Sequence, residues 1–296
     1  MTNTKITIAE EMKELLSNPN NMIKLDDFVT EHLKVFLDAT NLEHFPVQDS
    51  NVQKEDFCER LQKYEEIVKD LQQIVILLAR WGNGGQLSVL EKIFSRIEES
   101  DKGSSGINLW LHLGWYPIQV LIYSAGIAAL STSKYDALQI ILTTPTHNIS
   151  EANSRLPIAV TVALNLSAIH DSFKWIPGHE RKHVPCSEHL FQILQPIIED
   201  LLFVGKSYER LFDYLEVYLA LVYADTKGIN WGPIGRFGWK HGRGLGDSPF
   251  DQLVEEARKA KSVWLPLQSN LFNGSLERFL EVSEAFRQRL NELSWW

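Results

Sequence analysis

Residues Leu109 to Leu130, LWLHLGWYPIQVLIYSAGIAAL, make up about 22 positions without a formal charge, and how they are read decides the fold. An apolar run of that length can span a bilayer. Its composition points inward instead. Gly114 and Pro117 interrupt the run, and the fixed φ and missing amide of proline favour a helix start over a helix interior. His112, Gln119 and Ser124 would each need a hydrogen-bond partner in lipid. No Lys/Arg cluster flanks one end, as an oriented span prefers. Ser124-Ala125-Gly126 and Ala128-Ala129 put small side chains along the same stretch, which lets neighbouring backbones approach closely. The expectation is a central buried helix over residues 117–131, with no membrane contact.

Working outward, the dominant period is helical. Leu25, Phe28, Val29, His32, Leu33, Phe36 and Leu37 follow the i, i+3, i+4, i+7 spacing of one helix face. Phe57, Leu61, Tyr64, Ile67, Val68, Leu71, Ile74, Val75 and Leu78 continue that spacing over a longer run. Ser50 with Gln53 offers a capping box before it, and the run should end near Trp81, where Gly82, Asn83, Gly84 and Gly85 follow. Further helices are expected over 7–17, 86–98, 135–142, 158–170, 188–204 (bent or restarted at Pro196), 208–224, 250–261 and 276–293. Alternating strand patterns are nearly absent. The fold class is therefore mainly α: a compact multi-helix domain with a Gly/Trp-rich loop and no sizeable sheet. The chain reads as a single domain over 1–296. A Pro- and Asn-rich break between Thr143 and Leu156 would allow lobes at 1–145 and 155–296.

The chain has 29 Lys+Arg against 38 Asp+Glu, a net charge of −9, which excludes a globally basic nucleic-acid coat. Hydrophobic residues at 44% and charged residues at 23% lie far from the composition of disordered chains. Cys58 and Cys186 are too few and too far apart for a disulfide framework. The first sixteen residues carry Glu10, Glu11 and Glu14 and no apolar run, so they do not read as a signal peptide. A cytoplasmic location is expected.

Three stretches carry candidate chemistry. His179-Glu180-Arg181-Lys182-His183 satisfies HExxH, and His189 stands where a third zinc ligand belongs. That chemistry needs the first two histidines one helical turn apart on one face. Pro177-Gly178 before the motif and Pro185 after it oppose a helix, so a polar surface loop is expected. Zinc held by His179, His183 and His189 is the lesser alternative, and no cofactor is expected. Gly205-Lys206-Ser207 resembles the tail of a phosphate-binding loop but lacks the leading glycine, and Ser207 reads better as a helix N-cap. Residues 228–246, GINWGPIGRFGWKHGRGLG, hold seven of the 17 glycines and no acid. Trp231, Arg236, Phe237, Trp239, Lys240 and Arg243 make this a basic, aromatic island. Guanidinium and ammonium groups pair with phosphates, and indole and phenyl rings stack on bases. The alternatives are an ordered structural loop or a partner surface built on Trp and Arg. If the island binds a nucleotide or nucleic acid, Arg236→Ala with Arg243→Ala should weaken binding without lowering the melting temperature. Trp295-Trp296 at the end of the sequence would either dock back on the body or enter a partner.

Several phrases, taken in order, resemble a known architecture. They are Tyr64-Glu65-Glu66 leading to Trp81-Gly82, Tyr116-Pro117, Tyr123 to Ala129, Tyr135-Asp136-Ala137-Leu138 and Ser187-Glu188-His189-Leu190. Phe212-Asp213-Tyr214-Leu215-Glu216, Ala220 to Asp225 and Trp231 to Phe237 follow. This collinear set resembles the C-terminal helical region of prokaryotic multidomain antiviral-defence proteins, where it follows a Sir2-like, nuclease-like or P-loop effector domain. The resemblance implies an all-helical sensor or scaffold without its effector domain. It further implies protein–protein interaction, with a partner effector or with copies of itself as an oligomer, and catalysis supplied by another polypeptide. No catalytic residue carries over. The competing class is an enzyme, either zinc-dependent at the histidine loop or nucleotide-directed at the island.

Overall fold

The computed structural model describes residues 7–48, 52–149, 155–241 and 248–293. Fifteen α-helices, six short 3-10 helices and one two-stranded antiparallel sheet make up the regular structure of these residues. Helices α1 (Ile8–Ser17), α2 (Met22–Ala39), α3 (Lys54–Ile67), α4 (Lys69–Trp81) and α5 (Leu87–Glu99) come first. Then come α6 (Asn108–Leu113), α7 (Tyr116–Ser131) and α8 (Tyr135–Thr143), and the strands β1 (Pro145–Ile149) and β2 (Arg155–Pro157). The remainder is α9 (Ile158–Ser167), α10 (Pro185–Leu202), α11 (Tyr208–Lys227), α12 (Arg236–His241), α13 (Pro249–Ala260), α14 (Leu265–Gln268) and α15 (Leu276–Asn291). The mainly α reading holds, and the sheet occupies the break after Thr143, its second strand ending at Pro157.

Helix α7 is the axis of the molecule. It begins at Tyr116 with Pro117 in its first turn, and Tyr116 to Leu130 are buried on every face except at Gln119. It packs against α3, α4, α5, α8, α9, α10 and α11. The stretch from Asn108 to Ser131 is long and apolar enough to cross a membrane, yet 83% of its most apolar window is buried inside the protein. The three polar side chains of the run all find protein partners. His112 Nδ1 lies 3.0 Å from Asn165 Oδ1, Gln119 Oε1 accepts from the Cys186 thiol at 3.3 Å, and Ser124 Oγ accepts from Gln72 Nε2 at 2.8 Å. Close approach is enforced at Gly126, where a β-carbon would stand 2.5 Å from Leu215 Cδ1 of α11. One hydrophobic cluster runs from Met12 to Leu290 and joins both halves of the chain.

The structure departs from the sequence expectation in three places. The continuous helix expected through Leu78 is divided at Val68 into α3 and α4. Leu61, Tyr64, Val68 and Leu71 are all buried on either side of the division, so the apolar spacing passes through it undisturbed and gives no sign of it. Helix α10 starts earlier than expected, at Pro185, and runs through Pro196 without restarting. Ser207 stands at the N-cap position of α11 but makes no side-chain cap bond there. Of the expected capping box before α3, Ser50 lies outside the described residues; Gln53 is the N-cap and pairs with Asp56.

Candidate functional site

A cleft of about 390 Å³ opens between α7, α9, α10, α11 and the irregular segment 231–235. Each wall follows from local sequence. Helix α9 (IAVTVALNLS) is apolar with short side chains, so Ala159, Val162, Ala163 and Leu166 form one side without filling the space. Leu219 and Ile122 face it from α11 and α7, and Trp231, Pro233 and Ile234 form the outer wall. His170 and His183 lie at the rim, joined by a 3.1 Å contact between His170 Nε2 and the His183 carbonyl.

The segment is seated by two glycines. A β-carbon at Gly232 would stand 2.3 Å from the Ala220 carbonyl oxygen, and one at Gly235 would stand 2.0 Å from Glu216 Oε1. Gly228 ends α11 in the left-handed region at φ 63°, a conformation that favours glycine.

The polar centre of the cleft is Glu216, which is 2% exposed. Its Oε1 accepts from Ser187 Oγ at 2.6 Å and from Tyr123 OH at 3.2 Å, while Oε2 has no partner. Burial pushes the carboxyl up to about 8, helped by the charge of Asp213 and opposed by the Ser187 and Tyr123 hydrogen bonds. At pH 7 the group is therefore mainly a neutral acid. Burial also pushes the Cys186 thiol and the Tyr123 phenol up, and the Glu216 charge adds to both shifts. Among the described residues lining the cleft there is no lysine or arginine.

The basic residues of the glycine-rich island point to another set of acids. Ser187 Oγ accepts the Arg236 backbone N–H at 3.0 Å, which ties the start of α12 to the cleft. The Arg236 guanidinium pairs with Glu188, reaches Glu209 at 3.4 Å and lies 3.8 Å from the centre of the Phe191 ring. Lys240 bridges Glu209 at 2.7 Å and pairs with Asp213. Asp213 is 2% exposed with Oδ1 unpartnered, and burial raises it to about 6 against the opposing pull of Lys240 and Arg236. Phe237 is a core residue and Trp239 is half-buried beside Arg236 and Lys240. Of the five island residues singled out by sequence that are described, only Trp231 reaches the cleft, and it is 38% exposed. Arg243, like Trp295-Trp296, lies outside the described residues.

The histidines are divided as well. Residues 176–184 are turns and bends, so His179 and His183 are not on one helix face, whereas His189 lies within α10. His179 is not the solvated loop residue expected: it is 3% exposed, with Nδ1 3.3 Å from the Pro177 carbonyl and Nε2 unpartnered. Its ring meets that of His189 edge-on at 5.7 Å, and His189 Nε2 lies 2.6 Å from Glu65 Oε1, which also accepts from Tyr116 OH. Among the described residues no three His, Cys, Asp or Glu are arranged to hold a metal ion.

Sequence reasoning missed Glu216, Ser187 and Tyr123 as a group, because 29 and 93 positions separate Ser187 and Tyr123 from Glu216. One signal was available. Asp213 and Glu216 lie one turn apart in a helix whose surrounding residues are almost all apolar, and a carboxylate on a buried helix face has to be paired or neutral. No family model, curated protein or solved structure matches the chain.

Proposed function

We propose that this chain is a non-catalytic recognition module that seats a small ligand in the α7/α9/α10/α11 cleft. It would transmit occupancy to a partner effector protein or to another copy of itself. The prokaryotic antiviral-defence setting comes from the collinear resemblance of its helical phrases. The observation that carries the reading is the cleft itself: a pre-formed, mainly apolar space with a few convergent polar groups is the usual anatomy of a small-molecule site. The reactive groups along it favour binding over chemistry. The nucleophiles are held back: burial pushes the Cys186 thiol and the Tyr123 phenol toward their neutral forms, and Ser187 Oγ is engaged as both donor and acceptor. A nucleotide at the glycine-rich island is disfavoured, since Arg236 and Lys240 are already paired with acids of α10 and α11.

Native mass spectrometry of the protein drawn from phage-infected and uninfected cells tests the proposal. A defined small molecule should travel with the wild-type chain and be lost from Ala163→Phe, which narrows the cleft at its α9 wall. A molecule that stays with that variant, or no bound molecule in either condition, overturns the reading.

A further inference from the structure

We infer that the cleft selects an uncharged, largely apolar small molecule and rejects anions and cations of the same size. The inference rests on the reading of the cleft as a ligand site and specifies its chemistry. The lining supplies the argument. Among the described residues no lysine or arginine faces the space, so a phosphate or carboxylate entering it would lose its hydration without gaining a countercharge. Arg289 of α15 lies 5.3 Å from the Trp231 ring and is already paired with Glu292 at 2.6 Å. A ligand cation finds no ready partner either. Among the described residues the one carboxyl along the wall is Glu216, which burial pushes up to about 8, and Gly235 lies directly over it. What the cleft does offer is the apolar surface of α9 and the Trp231 ring. The Gln119 amide adds a polar contact, because its oxygen is taken by Cys186 and its nitrogen is left for a neutral acceptor.

The same arrangement makes occupancy sensitive to alkali. Once Glu216 ionises, a charge stands beside the apolar space, and only the fraction of molecules still protonated binds as before. At pH 9.5 a group titrating near 8 leaves about one molecule in thirty protonated, which sets a ceiling of about thirtyfold on the loss of affinity. The titratable groups acting on Glu216 are Tyr123 from α7, Cys186 from α10 and Asp213 from α11, with His170 and His183 at the rim of the cleft. Replacing Glu216 by Gln separates its titration from theirs.

The test is fluorescence titration of the full chain with three dyes of similar size: neutral Nile red, anionic anilinonaphthalene sulfonate and cationic thioflavin T. Wild type should bind one Nile red per chain at least tenfold more tightly than either charged dye, and Ala163→Phe should abolish the preference. Nile red should quench or shift the Trp231 emission, a signal lost in Trp231→Leu, which reports on the site even if the narrowed variant folds poorly. Affinity for Nile red should fall between pH 7 and 9.5 in wild type, by up to about thirtyfold, and Glu216→Gln should remove that fall. If a charged dye binds as tightly as Nile red and is lost from Ala163→Phe, the selectivity inference fails while the ligand-site reading survives. If no dye distinguishes wild type from Ala163→Phe and none perturbs Trp231, both fail.

Discussion

The carboxyl of Glu216 on α11 lies against the α-carbon of Gly235 so closely that a β-carbon there would stand 2.0 Å from Oε1 and 2.3 Å from Oε2. The contact fixes the outer wall of the cleft, because it sets how near the segment 231–235 can come to α11. Gly235→Ala should therefore lower stability by about 1–3 kcal/mol, the usual cost of overpacking. Thermal melts of Gly235→Ala, Glu216→Ala and the double variant check this: the double variant should lose less than the sum of the singles, since removing the carboxyl makes room for the methyl group. Strict additivity would mean that the two residues do not constrain each other.

The protonation of Glu216 gives stability a pH dependence of definite sign. Its folded value, about 8, lies above the ordinary 4.5, so between those values the folded chain keeps a proton that the unfolded chain has shed. The stabilisation is complete below about pH 4.5 and lost as pH rises toward 8. The limiting slope is about 1.4 kcal/mol per pH unit. Asp213 acts in the same sense but in a lower window, from 3.8 to about 6, whereas burial lowers Lys102 to about 8 and lowers His179, both with the opposite sense, so urea titrations from pH 6.5 to 8 are read as the difference between wild type and Glu216→Gln. The wild-type midpoint should fall relative to that of Glu216→Gln across the interval.

Arg236 is a structural cation. Its side chain is 11% exposed and that of its partner Glu188 12%, so Arg236→Ala leaves an almost buried carboxylate without its countercharge. A loss of about 3 kcal/mol is expected, with a matching drop in melting temperature. This differs from what sequence alone suggested, a loss of binding at unchanged stability. An unaltered melt would mean that water compensates Glu188.

The packing of α7 on α11 gives a further test. Gly126→Ala places a methyl group 2.5 Å from Leu215 Cδ1 and should lower stability by about 1–3 kcal/mol. Leu215→Ala in the same chain should recover part of that loss, as measured by the coupling between the two substitutions in denaturant unfolding.

The parts of this molecule that could be read from sequence are those with a local physical cause. Pro117 marks the first turn of α7 because its ring fixes φ. Gly82 ends α4 one residue after Trp81, and the small residues at 124–129 foretell the close contact at Gly126. The division at Val68 was invisible because the buried face continues across it. The site was harder. Arg236 and Lys240 sit in a stretch without acids, and their partners Glu188, Glu209 and Asp213 come from 27 to 48 positions away. A basic island in the sequence thus becomes a paired network in the fold. His179 looked like a solvated loop residue because its polar neighbours are exposed, whereas its own ring is turned inward against His189.

Helix α7 is covered on one side by α4, which precedes it, and on another by α11, whose Glu216 meets Tyr123 across 93 positions. On a ribosome adding about 5–20 residues per second, the later cover arrives roughly 5–20 s after the helix has been made. During that interval the most apolar stretch of the chain is only partly sheltered. The order in which the helices appear thus leaves the nascent chain a window in which a chaperone would have apolar surface to hold.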